Sequence, residues 1–309
     1  MSKYKVKNSI WFVLAESIRI YFTNIDKFIT YMLFPVFGQI IGIVLSFGLS
    51  LGFAETIVAR VDNPWVAFLL VLLLALPGLM IFVKAFWDYM VAYVALNSMT
   101  EGAISTGKVY DFQSHNEVAT RRTWSYVLLL LVIGAFSSIG SSIFFIIPAS
   151  VLWIYFILIF QIFTFEPDLK IHEYFKRSFV LVKGHWFRTC TLMLILAFFS
   201  IFIITQGVSV VFDYLNLTNK ICSLFNPISS AIPIDLTNEM LTVLKFPIIT
   251  TEMISKKIYF SILYAIIMGL TLPIRSICWS LWYMNLSEIE LKNRNNNKKS
   301  KKQKQDDEE

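Results

Sequence analysis

Long apolar runs separated by short polar blocks set the pattern of this chain. Phe28 to Phe53, Trp65 to Val83 and Thr189 to Phe212 each lack any Asp, Glu, Lys or Arg. A helix rises about 1.5 Å per residue, so about 20 apolar residues cross a hydrocarbon layer of roughly 30 Å. These runs predict three membrane-crossing helices. From Trp124 to Phe165 there are 42 uncharged residues in succession. One helix of that length would reach about 63 Å, so two crossings with a turn between them are expected. Pro148 marks the turn, because proline lacks the amide donor and disfavours helix in the residue before it. The last apolar run, Ile258 to about Met284, holds one charge, Arg275. Its long side chain is expected to reach toward the headgroup region.

The expected fold is all-α, a polytopic membrane protein with six transmembrane helices. One domain covers residues 1–291, with spans at about 28–53, 65–83, 124–144, 149–165, 189–212 and 258–284. Residues 292–309 are polar and of low complexity, with lysines ahead of Asp306-Asp307-Glu308-Glu309. That composition predicts a disordered charged tail.

A helical period also recurs in the connectors. Ile171, Tyr174, Phe175, Ser178, Phe179 and Val182 share a face, while Lys170, Glu173, Lys176 and Arg177 fall mostly elsewhere. Gly184 is the expected terminator of that helix, since glycine accepts the left-handed conformation at helix ends. Ile10, Trp11, Leu14, Ser17, Ile18 and Tyr21 form a comparable face, and Val109 to Thr123 a weaker one. Amphipathic helices lying on the cytoplasmic surface are therefore expected before spans 1, 3 and 5. This layout makes three units, each a surface helix plus a hairpin, either as a true repeat or as the ordinary consequence of basic connectors.

Charge sets the orientation. Of the 27 Lys and Arg residues, 20 fall in the N-terminal segment, the second-to-third and fourth-to-fifth connectors and the tail. The positive-inside rule then places both termini in the cytoplasm, in a cell inner membrane. The start is basic and then apolar, but Glu16 and Arg19 break the run and no small-residue cleavage site comes after it, so no cleaved signal is expected. Apolar residues make up 56% of the chain and charged residues 16%, which excludes collagen-like, disordered and soluble globular classes. Three cysteines cannot build a disulfide framework.

Candidate interaction residues are few. Small residues stand four apart in the pairs Gly38 and Gly42, and Gly48 and Gly52, of the first span, and again at Gly134, Ser138 and Ser142 in the third. Such rows let helices approach closely, either each other or a second copy of the chain in a homo-oligomer. Lys84, Asp88, Glu166, Asp168 and Arg275 are the charges nearest the span ends. They are expected to form an interfacial cluster, either fixing helix depth or surrounding a headgroup site or gate. Mid-span polarity is limited to Gln39, Gln161, Gln206 and hydroxyls. No mid-depth carboxylate pair, His-Glu-x-x-His or Gly-x-Ser-x-Gly run occurs, so no catalytic, cofactor or metal residues are expected. The three histidines lie in connectors without ligand spacing and are expected at the surface. The tail lysines can meet anionic lipid headgroups, whereas nucleic acid is not expected because no aromatic residue interleaves with them.

The stretch Arg177-Ser178-Phe179-Val180-Leu181-Val182-Lys183-Gly184-His185-Trp186, leading into a span, resembles the membrane domain beside some bacterial glycerophosphoryl diester phosphodiesterases and its uncharacterised relatives. Pro273 and Trp282-Tyr283-Met284-Asn285-Leu286 resemble that group's closing helix. Relatives often carry an acid and a base after the closing tyrosine, where this chain has Asn285-Leu286-Ser287. The resemblance implies a six-helix membrane module and carries over no catalytic residue. The expected function is a non-enzymatic membrane scaffold or lipid-interacting module, with a small-solute or lipid transporter as the alternative.

Overall fold

The structure, a computed structural model, describes residues 9–109, 111–140, 146–226, 229, 238, 242 and 247–306. Among these residues all regular structure is helical and no strand occurs. Five helices are long and apolar enough to cross a membrane, or six if the bent pair α4–α5 counts as one. Contacts divide the chain into two compact units. The first comprises Met1–Tyr31, Met90–Leu196 and Leu272–Glu309, the second Met32–Tyr89 and Ala197–Thr271.

In the first unit, α1 (Ile10–Thr23) packs along α13 (Leu272–Asp306). Val13, Ser17, Ile20 and Tyr21 are buried, while Trp11, Ile18 and Phe22 are exposed. The single apolar face expected from periodicity is thus two stripes, one packed on protein and one open. α3 (Pro64–Thr106) is a 43-residue helix, twice the span expected at 65–83. Its later turns belong to this unit and bury Val91, Ala92, Val94, Ala95, Leu96 and Met99. Pro77 lies inside it, and the chain turns at Gly107, whose φ of +80° is a left-handed conformation suited to glycine. α4 (Phe112–Thr120) starts at Asp111, whose side chain accepts the Gln113 amide at 3.2 Å, and α5 (Thr123–Gly140) comes after a 71° bend.

α6 (Ile146–Phe156) and α7 (Ile159–Phe165) together cover the fourth expected span, broken at Ile157-Leu158. Pro148 lies within α6, close to the limit of the described residues. Residues 141–145, which include Ser142, lie outside the described residues. α8 (Ile171–Val182) packs on α6, α7 and α13, burying Tyr174, Ser178, Leu181 and Val182. It ends before Gly184, whose φ is +87°. α9 (Trp186–Ala197) leads onward. α13 begins at Leu272, just after Thr271, within the apolar helical run Thr251–Asn293 that is long enough to cross a membrane. α13 continues through Lys292 to Asp306, a stretch in which Lys and Gln are good helix formers and no Gly or Pro intervenes.

The second unit holds most of α2 (Ile25–Arg60), the first turns of α3, a π-helical turn at Phe198–Ile204, α10 (Thr205–Tyr214), α11 (Leu217–Leu224) and α12 (Thr251–Leu270). Cys222, Tyr259, Leu263 and Ile267 form a core against which Ile204, Val208 and Phe212 pack. α2 and α3 touch backbone to backbone. A Cβ added at Gly42 would lie 2.5 Å from the Phe82 amide nitrogen, one at Gly38 2.8 Å from the Ala85 Cβ, and one at Gly78 2.3 Å from the Ser46 amide nitrogen. The small-residue row of the first span therefore meets α3, its neighbour in the chain. Gly48 and Gly134 have open space where a Cβ would stand. The surroundings of Gly52, and residues 227, 228, 230–237, 239–241 and 243–246, lie outside the described residues.

Candidate functional site: a buried polar cluster beside an aromatic cavity

Asn97 is fully buried on α3 among apolar neighbours, where an unbonded amide would cost several kcal/mol. Its Oδ1 accepts hydrogen bonds from the Ser276 hydroxyl at 2.6 Å, the Ser280 hydroxyl at 3.0 Å and Gln161 Nε2 at 3.3 Å. Its Nδ2 donates to the Tyr93 carbonyl at 3.0 Å and to Thr164 Oγ1 at 3.3 Å. Ser276 and Ser280 are one turn apart on α13, and Gln161 and Thr164 are neighbours on one face of α7. The spacing of each pair lets three helices converge on one amide.

A cavity of about 310 Å³ lies beside this cluster and shares Gln161 and Ser276 with it. Tyr93, Phe136, Trp153, Phe156, Phe160 and Trp279 supply aromatic wall, and the break between α6 and α7 contributes Ile157. Phe136 and Trp153 stack with centroids 6.0 Å apart. Arg275 is the charged residue among the described residues that line the cavity. Gln161 is 4% exposed, and its Oε1 has no hydrogen-bond partner among the described residues.

Charged groups gather separately where α7, α8 and α13 meet. Arg177 Nε donates to both Glu166 oxygens, at 2.9 and 3.1 Å, and Arg177 Nη1 donates to Glu290. The Tyr283 hydroxyl donates to Glu166 at 2.7 Å. Burial works against the Arg177 charge, yet hydrogen bonds from the guanidinium to Glu166 and Glu290 hold its pKa above the ordinary value. Arg122 adds a second junction. Its guanidinium donates to the Phe163 and Pro167 carbonyls, each at 2.8 Å, and lies 4.2 Å from the centroid of the Phe163 ring. It thereby satisfies carbonyls at the C-terminal end of α7 that have no helical donor. Burial pushes the neighbouring Tyr174 phenol up, with Arg122 opposing that shift.

Glu166 is held by Arg177, Asp168 is exposed, and Arg275 lines the cavity. Lys84 pairs with Asp88 one turn away on α3, with Nζ 2.6 Å from Oδ2, in the second unit. His115, expected at the surface, is buried with Nδ1 3.0 Å from the Ser98 hydroxyl, because α4 turns that side inward. The sequence pattern does not mark Asn97, Ser276, Ser280, Arg122, Arg177 or Glu290 as site residues. One signal was present: the i,i+4 serines flanking Ile277 and Cys278 in an otherwise apolar turn of the last span.

No group of three or more His, Cys, Asp or Glu side chains converges as metal ligands would among the described residues. Aromatic walls, one cation and a buried acceptor suit noncovalent binding of an amphiphile. No protein-family model matches the chain, and no curated protein or solved structure matches it.

Proposed function

We propose that the chain is a multi-pass module of a bacterial-type inner membrane, a non-enzymatic scaffold that interacts with lipid. It crosses six times and keeps both termini and its basic connectors on the cytoplasmic side. One observation carries this reading. The most apolar window of Trp65–Thr106 is only 11% buried within the protein, with Phe68, Leu69, Leu73 and Met80 outward, far more apolar surface than water tolerates. The Lys/Arg asymmetry and the exposed Trp11, Ile18 and Phe22 stripe of α1 support cytoplasmic contact with anionic headgroups.

Alkaline carbonate washing should leave the protein in the membrane, and reporter fusions at residue 63, at residue 184 and at the C-terminus should report outside, inside and inside. Release into the wash, or an exported C-terminus, overturns the reading.

A carrier for small solutes or lipids is the second reading, favoured by the helix break at Ile157-Leu158 against the cavity. Interrupted helices line substrate sites in many transporters. A carrier requires cysteines placed along the cavity wall to change their labelling from each side when substrate is added, and a scaffold does not.

A further inference from the structure

We propose that the aromatic cavity of the first unit binds an anionic single-chain amphiphile: a hydrocarbon chain along the aromatic wall, a phosphate or carboxylate at Arg275, and a ligand hydroxyl donating to Gln161 Oε1. The inference deepens the lipid-interacting reading and rests on it.

Three features fix the chemistry. Arg275 brings a positive charge to the cavity wall, and a guanidinium presents a fork that matches a phosphate or carboxylate. Gln161 is buried with its Nε2 committed to Asn97 and its Oε1 without a partner among the described residues, so the site has an acceptor in need of a donor. A hydroxyl satisfies it, and a carboxylate or phosphate oxygen does not. The walls are rings rather than polar groups, which accept methylenes by area burial and give a chain no hydrogen bonds to satisfy. Size narrows the class further. A volume of about 310 Å³ is at the small end of ligand pockets, enough for a headgroup and part of one chain but too small for a two-chain lipid.

The Asn97 cluster gives the site its rigidity. Gln161 and Ser276 are both held by one amide, so the acceptor and the serine edge of the cavity keep a fixed spacing whether or not a ligand is present.

The test uses the full chain in neutral detergent, with retention read by native mass spectrometry. The probes are lauroyl lysophosphatidate, monolaurin as its uncharged counterpart, and inorganic phosphate. One lysophosphatidate should be retained at least about tenfold more strongly than monolaurin, the difference expected of a charge-assisted hydrogen-bond pair. Arg275→Gln should remove that preference while leaving monolaurin retention unchanged. Gln161→Leu should weaken lysophosphatidate more than dodecyl phosphate, which has the anion and the chain but no hydroxyl.

Equal retention of lysophosphatidate and monolaurin by the unaltered protein overturns the proposal without recourse to any variant. So does displacement of the amphiphile by inorganic phosphate, which would make the site one for a free anion. A protein that withstands carbonate washing but fails this comparison loses only the cavity's ligand. Release by carbonate removes the membrane reading itself.

Discussion

The hydroxyl of Ser276 donates a 2.6 Å hydrogen bond to Oδ1 of Asn97, a residue 179 positions away in the chain. Asn97→Ala would strip the shared acceptor from Ser276, Ser280 and Gln161 at once. Buried donors left unsatisfied cost about 1–3 kcal/mol each in water-soluble proteins and less where apolar helices offer other acceptors. Asn97→Ala is expected to destabilise by about 2–3 kcal/mol, read as a lowered unfolding midpoint in detergent. Adding Ser276→Ala and Ser280→Ala should recover part of the loss, because donors without an acceptor disappear with it.

Gly42→Ala should lower folded yield and stability by about 1–3 kcal/mol. The new methyl would meet the backbone of Phe82 at 2.5 Å, and backbone cannot give way as a flexible side chain can. Gly134→Ala meets nothing within 4 Å and should be neutral or stabilise by about 0.5–1 kcal/mol through helix propensity. Thermal unfolding of the two variants in parallel checks the contrast. Equal effects would refute the close approach of α2 and α3.

Arg177→Gln should leave Glu166 and Glu290 facing one another without their shared cation, at a cost of about 3 kcal/mol. Glu290→Gln in the same chain is expected to restore most of that stability, since the repulsion and the orphaned charge both go. A double-mutant cycle measures the coupling, and additivity of the two losses would sink the account.

His185 precedes α9 with its pKa lowered, first by burial and second by Arg188. The unfolded chain takes up a proton near the ordinary value of 6.5, and the folded chain does so only at lower pH. Stability from this group is therefore full above 6.5 and is lost as pH falls through the folded pKa. The unfolding midpoint should decline on acidification from neutrality, and His185→Gln should flatten part of that slope. A midpoint that rises on acidification would contradict the sign.

The apolar runs in the sequence located the long helices, because a crossing needs uninterrupted hydrocarbon and charge density reveals where that stops. Gly184 could also be read, since a glycine after a periodic face has few other uses, and its φ of +87° agrees. Asn97 was not legible. One amide within a run containing Val94, Ala95, Leu96 and Met99 has the same pattern whether it is bonded or not, and its partners come from α7 and α13. Arg177 counts in the sequence as one more basic connector residue, because its role depends on Glu290, 113 positions away. The length of α3 was hidden for a related reason: Lys84 and Asp88 ended the uncharged run, although a pair four residues apart continues a helix rather than breaking it.

The π-helical turn at Phe198–Ile204 bears on how this chain tolerates length variation. Each of its hydrogen-bonded loops encloses one residue more than an α turn, so the segment stores a surplus position while α10 keeps its orientation. A deletion of one residue there can be taken up by tightening the coil, with Val208 and Phe212 still directed at Tyr259 and Leu263. The same deletion inside α10 has no slack to draw on and would turn that contact surface by about 100°.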